Sequence, residues 1–284
     1  MGNLVRFDWA MKKLLRSKAN FGVLEGFLSE LLCEEITILE ILESESNQEH
    51  EEDKYNRVDL LIRDSRGALV IIEVQTTTEP DYLLRMLYAT SKVITEHIAQ
   101  GDEYSKVKKA ISVNIVYFDL GHGDDYLYRG TTSFVGMHSG HELQLNDRQK
   151  LFYQRDSIAQ LYPEYYIIKV NQFDDVAKNT FDEWIYFLKH SEIKDSFSAK
   201  GLQEARQIFD VMCLPKPAQA EYLGFQEALR SKASLIKGNY EMGRIDGLAA
   251  GLAKALQCMI ESGIPEEEAR RILGIASERF EEKV

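Results

Sequence analysis

The stretch VDLLIRDSRGALVIIEVQ, residues 58–75, decides the fold predicted for this chain. Two short apolar runs, 58–62 and 69–75, flank the polar turn Asp64-Ser65-Arg66-Gly67. Short runs rich in β-branched residues on both sides of a glycine-containing turn are typical of a β-hairpin. The stretch therefore predicts two antiparallel strands joined by a tight turn.

Three polar residues, Asp59, Glu73 and Gln75, stand inside the two apolar runs. If the turn is centred on Arg66, Asp59 lies directly opposite Glu73, with Cβ atoms roughly 5 Å apart. Facing like charges destabilise a sheet, and a divalent cation shared by both carboxylates removes that repulsion. Gln75 shares a strand face with Glu73 because side chains alternate. A slip of one residue in the strand register would place the two carboxylates on opposite faces of the sheet. The alternative to a metal site is a solvated hairpin face whose acidic residues have no function.

Helical and apolar segments alternate around the hairpin. Apolar residues recur at helical spacing over 7–32, and a second helix is predicted from Glu79 to Gly101. The continuously apolar segment 110–118 predicts a buried central strand. Further strands are expected within 126–173, notably at 165–170. This order of elements predicts an α/β core.

The last part of the chain is predicted to be almost wholly helical. Glycines recur there at helix-like spacing over 238–251, a pattern typical of close helix–helix contacts, so a homo-oligomer through these helices stays open. Residues 256–280 predict two short helices broken at Ser262-Gly263-Ile264-Pro265. We therefore predict an α/β domain over 1–175 and a helical region over 176–284.

Composition and charge limit the possible functions. The chain has 284 residues, a net charge of −12 and three widely spaced cysteines without a CxxC pair. This pattern predicts a reducing compartment, the cytoplasm, without disulfides or a cysteine zinc site. No apolar run approaches the roughly 20 residues needed to cross a bilayer, and Met1 to Phe21 lacks a secretory signal pattern. The negative charge, concentrated in the predicted exposed segment 43–54, opposes general nucleic-acid binding unless metal ions supply positive charge locally.

The polar residues of the hairpin carry a family resemblance. Asp59 followed by Glu73-Val74-Gln75 resembles the D…ExQ variant of the PD-(D/E)XK nuclease superfamily. With the segments 7–13 and 85–92 included, the chain resembles more specifically the Rpn family of recombination-promoting nucleases and transposase-like proteins. Val58 stands where the superfamily usually has proline. The resemblance implies a restriction-endonuclease-like core, with a mixed central sheet flanked by helices.

A metal-dependent activity follows from this resemblance. It implies a DNA endonuclease that hydrolyses phosphodiester bonds with Mg²⁺, for which Mn²⁺ is a possible substitute. Asp59, Glu73 and the carbonyl group of Val74 would bind the metal, as their counterparts do in the family. Together with Gln75, the two carboxylates would form the catalytic core.

One departure from the superfamily pattern and one additional metal ligand concern the same implied site. Gln75 stands where the superfamily usually has lysine; its amide can orient a water but brings no positive charge to the transition state. An early acidic residue adds a metal ligand in related nucleases, and either Glu25 or Glu30 would match it. The sequence does not choose between these two.

Basic residues near the hairpin are candidates for DNA contact. Arg85, Tyr88 and Lys92 lie on one face of the predicted helix, and Arg85 either contacts a phosphate or pairs with one of the two carboxylates. Lys12 and Lys13 belong to a basic cluster that either follows the DNA backbone or is a solvated helix face.

Two classes of function are consistent with these features. The first is an active endonuclease that serves recombination, a mobile element or defence against foreign DNA. The second is a non-catalytic DNA-associated or protein-interaction module that retains the nuclease fold. The missing lysine and the acidic composition favour the second class, and the two facing carboxylates favour the first.

Overall fold

The computed structural model describes residues 4–42 and 59–275, except for the side chains of Lys12 and Met212. Three features of the sequence analysis lie outside the described residues: the acidic segment 43–54, Val58, and the end of the last predicted helix at 276–280.

The chain divides into two compact units, Met1–Gln219 and Ala220–Val284. The helices that follow the sheet, up to residue 208, belong to the first unit. The domain boundary expected between residues 175 and 176 stays a prediction.

The described residues form six strands, eight α-helices and five short 3-10 helices. The strands are β1 (Ile38–Leu42), β2 (Leu60–Asp64), β3 (Leu69–Gln75), β4 (Ala110–Val116), β5 (Leu127–Gly130) and β6 (Glu164–Lys169). The helices are α1 (Phe7–Lys13), α2 (Phe21–Leu32), α3 (Tyr82–Glu96), α4 (Asp147–Tyr153), α5 (Thr180–His190), α6 (Leu202–Ile208), α7 (Lys216–Glu261) and α8 (Glu266–Ile272).

The strands form one mixed sheet within the described ranges, in the order β1-β2-β3-β4-β6-β5. Strand β4 is parallel to its neighbours β3 and β6, whereas the pairs β1–β2, β2–β3 and β5–β6 are antiparallel. Every residue of β4 is buried, as expected for a central parallel strand covered on both faces. The predicted α/β class, the mixed sheet flanked by helices and the central strand are therefore confirmed.

The β2–β3 hairpin has the predicted register. Leu60 pairs with Ile72, so the turn is centred on Arg66. The fully buried Asp64 side chain holds this turn, because its Oδ1 atom accepts hydrogen bonds from the backbone N–H groups of Arg66 at 3.0 Å and Ala68 at 2.8 Å. A side-chain acceptor of this kind replaces the strand hydrogen bonds that the turn interrupts.

Helix α3 covers one face of the hairpin. Leu61 of β2 and Ile71 of β3 pack with Ala89 and Val93 of the helix in one apolar cluster. Because side chains alternate along a strand, Glu73 points to the same face as Ile71. The fold thus places the polar end of β3 beside the first turns of α3.

An aromatic cluster joins the helices of the first unit. The Phe7 ring of α1 lies 5.5 Å from the Phe27 ring of α2 and 6.3 Å from the Trp184 ring of α5, measured between centroids. Phe209, which directly follows α6, lies 6.5 Å from Phe7. These side chains are almost fully buried, so α1 and α2, both within the helical region predicted at 7–32, are held by aromatic packing.

Several elements differ from the sequence-based expectation. Strand β1 has no predicted counterpart, because its five residues are mostly half-exposed and show no clear alternation. Part of the segment 126–173, where strands were expected, forms α4, whose start has a capping box between Asn146 and Gln149. Helix α3 ends at Glu96 rather than near Gly101.

The C-terminal helices also differ from the expectation. Helix α7 has 46 residues and continues to Glu261, so the first of the two short helices expected over 256–280 is the end of this longer helix. The glycines of 238–251 lie inside it, since isolated glycines lower helix stability without ending a helix. In the described part of the chain, no helix combines the length and apolar character needed to span a membrane.

Candidate active site at the open end of the hairpin

The candidate site lies at the end of the β2–β3 hairpin opposite its turn. Asp59 directly precedes β2, and Glu73 lies near the end of β3. The register that pairs Leu60 with Ile72 continues to place Asp59 opposite Glu73. The Asp59 Oδ2 atom accepts a hydrogen bond from the backbone N–H of Val74 at 2.9 Å. The structure therefore brings Asp59, Glu73 and Val74 together.

Glu73 is a buried carboxylate, with 5% of its surface exposed. Its Oε2 atom is buried and accepts no hydrogen bond from the described residues, and the nearest cation is Arg85, whose Nε lies 3.8 Å from Oε2. Burial raises the pKa of Glu73 to about 7; the charge of Arg85 opposes this shift, and the charges of Asp59 and Glu79 add to it. A buried carboxylate oxygen without a partner costs free energy, so Glu73 is poised to take up a proton or a cation.

Gln75 and Arg85 are both held by a third carboxylate, Glu79. The Nε2 atom of Gln75 donates to Glu79 Oε1, and the Nη1 atom of Arg85 lies 2.9 Å from both carboxylate oxygens of Glu79. From the sequence, Glu79 was expected only to begin a helix. Its position six residues after Glu73, just before α3, is the signal that would have identified it.

The inner wall of the site is polar as well. Tyr82 and Asn114 are fully buried, and the Tyr82 hydroxyl donates to Asn114 Oδ1 at 3.2 Å. Asn114 pairs with Glu73 in the parallel β3–β4 register, so it lies on the same face of the sheet. Burial, followed by the charge of Glu73, raises the pKa of Tyr82. The hydroxyl therefore stays protonated beside the carboxylate, and neither residue was singled out from the sequence.

The candidate DNA-contact residues of α3 have different surroundings. Arg85 is paired with Glu79 and approaches Glu73, as one of its two sequence-based interpretations expected. The Tyr88 side chain is 53% exposed, whereas the Lys92 Nζ atom lies 3.7 Å from Glu96. Tyr88 is thus accessible to a ligand outside the helix, and contact of all three residues with DNA stays a prediction.

Of the N-terminal basic cluster, Arg16 contacts the candidate site, and it is not one of the two residues, Lys12 and Lys13, named from the sequence. The Nη2 atom of Arg16 donates to the backbone carbonyl of Asp59 at 3.0 Å. Lys13 is exposed, and the Lys12 side chain lies outside the described residues. Arg16 therefore tethers the chain just before β2 to the segment that follows α1.

The two early acidic candidates serve other contacts. Glu25 Oε1 accepts from the backbone N–H of Ile38 at 2.7 Å and so holds the start of β1. Glu30 accepts from the Thr180 hydroxyl and from the backbone N–H of Lys200, the latter at 3.1 Å. Which of the two, if either, joins the site stays open.

A preformed metal cage is absent from the described residues: no group of three or more His, Cys, Asp or Glu side chains there could hold an ion. The oxygen atoms near Glu73 still suit a hard divalent cation, because Mg²⁺ is commonly bound by one or two carboxylates and keeps several waters. The unsatisfied Glu73 Oε2 is the atom that such an ion would meet.

Comparison with known proteins identifies the family. No curated protein and no solved structure gives a significant match to the chain. The family model described as PD-(D/E)XK nuclease family transposase matches residues 5–237, which include the hairpin and the whole sheet. This match confirms the resemblance inferred from Asp59 and Glu73-Val74-Gln75. The chain therefore belongs to the PD-(D/E)XK nuclease family transposases.

Proposed function

We propose that this protein is a divalent-metal-dependent DNA endonuclease that hydrolyses phosphodiester bonds. The observation that carries the proposal is the pair of carboxylates at the open end of the hairpin, one of which has a buried oxygen without a hydrogen-bond partner among the described residues. If the protein kept this fold without a catalytic function, we would expect an uncharged residue at this position, because burying an unpaired carboxylate costs free energy. Membership of a nuclease family supports the same conclusion.

The residues that would hold the metal are Asp59, Glu73 and the carbonyl group of Val74. The N–H of Val74 donates to Asp59 Oδ2, and the N–H and C=O of one residue point to the same edge of a strand. We therefore expect the Val74 carbonyl to face Asp59 as well. A bound Mg²⁺ or Mn²⁺ would supply positive charge beside the scissile phosphate and lower the pKa of a water.

Gln75 and Arg85 are positioned by Glu79 for different tasks. The amide of Gln75 donates to Glu79, which leaves its carbonyl oxygen able to accept a hydrogen bond from an attacking water. Arg85 offsets the charge of Glu79 and of Glu73, and we expect it, with Tyr88 and Lys92, to face the DNA backbone. Lys12 and Lys13 are proposed as more distant backbone contacts.

A non-catalytic role is the second candidate, favoured by one specific observation. Gln75 occupies the position where the superfamily usually has lysine, so the site lacks a positive charge of its own on β3. In that case the chain would act as a DNA-associated or protein-interaction module. A link to recombination, mobile elements or defence, a cytoplasmic location and pairing of two copies through α7 stay predictions for either candidate.

Nicking of supercoiled plasmid DNA tests the proposal. We expect cleavage by the wild type with Mg²⁺ or Mn²⁺ and none with EDTA. The variant Glu73→Gln should lose at least the roughly 10- to 100-fold that is typical when a residue supporting a metal site is removed. The matched control is Glu227→Gln, which neutralises an exposed carboxylate on α7 and should cut like the wild type.

Two outcomes would contradict the proposal. A folded wild type that cuts with neither metal would favour the non-catalytic module. Equal cutting by Glu73→Gln and the wild type would place the activity elsewhere or in a contaminant. Circular dichroism of each variant separates loss of activity from loss of the fold.

A further inference from the structure

A second cleft lies at the opposite end of the sheet from the carboxylates. It has a volume of about 510 Å³ and lies between the β2–β3 turn, the segment 104–109 before β4 and the segment 152–163 before β6. Ile94, near the end of α3, forms part of its wall. Along β3, the four residue-to-residue steps from Leu69 to Glu73 span about 13 Å. The cleft, named here the basic cleft, is therefore separate from the candidate active site.

The charge of the basic cleft contrasts with that of the whole chain. Among the described residues, its lining contains five cationic side chains and no carboxylate, although the chain has a net charge of −12. The cations are Arg66, Lys106, Lys108, Lys109 and Arg155. A local concentration of one sign of charge in a concave surface focuses the field and attracts ligands of the opposite sign. The cleft therefore suits an anion.

Two of these cations are available to such a ligand. Arg66, Lys106 and Lys109 each lie within ion-pair distance of a carboxylate outside the cleft lining. Among the described residues, no carboxylate lies within that distance of Lys108 or Arg155, and the Arg155 guanidinium donates only to the backbone carbonyl of Gln154 at 2.9 Å.

Lys109 is a lining residue of the cleft that has other cations near it. Its Nζ atom lies 2.7 Å from the carbonyl oxygen of Tyr162 and 3.3 Å from the Glu164 carboxylate, so it joins the start of β4 to the start of β6. Burial lowers the pKa of Lys109; Glu164 opposes this shift, and the charges of Arg129 and Arg155 add to it. An anion bound there would relieve the repulsion between these cations.

Aromatic rings alternate with the cations around the cleft. The Tyr104 and Phe152 side chains are 91% and 68% exposed, and Tyr153 and Tyr162 also line the cleft. The rings of Phe152 and Tyr153 pack edge to face, with centroids 5.1 Å apart. Exposed rings of this size leave apolar surface in water unless a ligand covers it.

We propose that the basic cleft holds a single-stranded segment of the DNA substrate, with phosphates at Lys108 and Arg155 and bases stacked on Tyr104 and Phe152. Positive grooves with interleaved aromatic rings bind single strands in this way. The bases of a duplex stack on one another, and a cleft of about 510 Å³ has the volume of a small-molecule site. The role as a substrate site rests on the proposed endonuclease function, whereas the binding itself requires neither metal nor cleavage.

Fluorescence anisotropy with labelled oligo-dT tests the proposal directly. The protein carries Glu73→Gln and the buffer contains EDTA, so no cleavage occurs. Charge reversal by Lys108→Glu with Arg155→Glu should weaken binding and reduce the slope of log K against log salt by about 0.7 for each lost phosphate contact. The matched control reverses two exposed cations of α7, Arg230→Glu with Lys237→Glu.

The aromatic contribution is tested by Tyr104→Ala and Phe152→Ala. Each should weaken oligo-dT binding about fivefold or more, without changing the salt slope. The matched control is Tyr240→Ala, because Tyr240 of α7 is 68% exposed, as Phe152 is. These side chains are exposed, so their removal should leave the fold intact.

Several results would overturn the proposal. Undiminished binding by the cleft variants relative to their controls would place the single strand elsewhere. If the cleft variants lose as much affinity for a duplex of the same length as for oligo-dT, a site selective for single strands is excluded. Equally tight binding of polyglutamate, insensitive to Tyr104→Ala, would indicate an acidic protein partner instead. Failure of plasmid nicking with oligo-dT binding intact would remove the endonuclease function alone, so the two failures are distinguishable.

Discussion

The two carboxylates of the candidate site differ in how the protein holds them. The Asp59 side chain accepts a backbone hydrogen bond from Val74. Glu73, in contrast, is buried, one of its oxygens has no hydrogen-bond partner in the described part of the chain, and burial raises its pKa to about 7. Arg85 lies 3.8 Å away, longer than a direct hydrogen bond. A divalent cation between the two carboxylates would replace the missing partner of Glu73 and remove the repulsion from Asp59.

Metal binding should therefore stabilise the fold through Asp59. At a concentration of Mn²⁺ about 100 times the Kd, we expect about 2.7 kcal/mol of added stability, seen as a rise in Tm of roughly 5–10 °C. Asp59→Asn should abolish the rise, because the amide oxygen can still accept from Val74 but the charge is lost. Differential scanning fluorimetry with and without EDTA measures the effect.

The control for this experiment is again Glu227→Gln. It should retain the full rise in Tm, since its carboxylate is exposed on α7. A rise that persists unchanged in Asp59→Asn would show that the metal stabilises the protein at another site.

At the scale of elements, the close approach of α2 to the loop before α6 depends on glycine. A Cβ atom on Gly26 would lie 2.2 Å from the backbone carbonyl oxygen of Lys200 and 2.7 Å from the Cα atom of Gly201. Gly201 itself has a φ of 77°, a conformation that favours glycine. Backbone atoms cannot move aside as a flexible side chain can, so the two segments require these glycines.

Gly26→Ala should destabilise the protein by about 1–3 kcal/mol, the usual cost of overpacking a core. Gly22→Ala on the same helix is the matched control, because its new Cβ would meet only the end of the Glu204 side chain, which can rotate away. Urea unfolding of both variants should give a lower midpoint for Gly26→Ala than for Gly22→Ala at an unchanged slope. Equal midpoints would show that the Lys200 loop yields readily.

At the scale of the whole molecule, burial is distributed unevenly along the chain. Every residue of β4 is buried. Among the 46 residues of α7, all with described side chains, only Tyr222 is buried. Helices owe most of their stability in proteins to packing of an apolar face, so a helix with so little buried surface is marginal by itself. Stability should therefore differ greatly between the sheet and α7.

Hydrogen exchange measured by mass spectrometry should show this difference. We expect amides within 223–261 to exchange orders of magnitude faster than those of β4, which should open only with global unfolding. The measurement at two protein concentrations also tests pairing of copies through α7. Slow exchange of α7 at low concentration would contradict the expectation, and protection that grows with concentration would indicate self-association.

The sequence by itself determined the hairpin, the central strand and the family. Alternating side chains and a turn centred on Arg66 place Asp59 opposite Glu73 without knowledge of any other segment, because both lie on neighbouring strands joined by a short loop. The buried strand β4 was equally visible, since a continuously apolar run has few alternatives. These features depend on local patterns, which a sequence displays directly.

Only the tertiary structure decided what surrounds these residues. The contact of Arg16 with Asp59 joins positions 43 residues apart, and that of Lys109 with Tyr162 joins positions 53 residues apart. No periodicity or local motif encodes such pairs, because they form only when packing brings distant segments together. For the same reason, the basic cleft became visible only in the folded chain, because the turn at Arg66 and the segments 104–109 and 152–163 meet there.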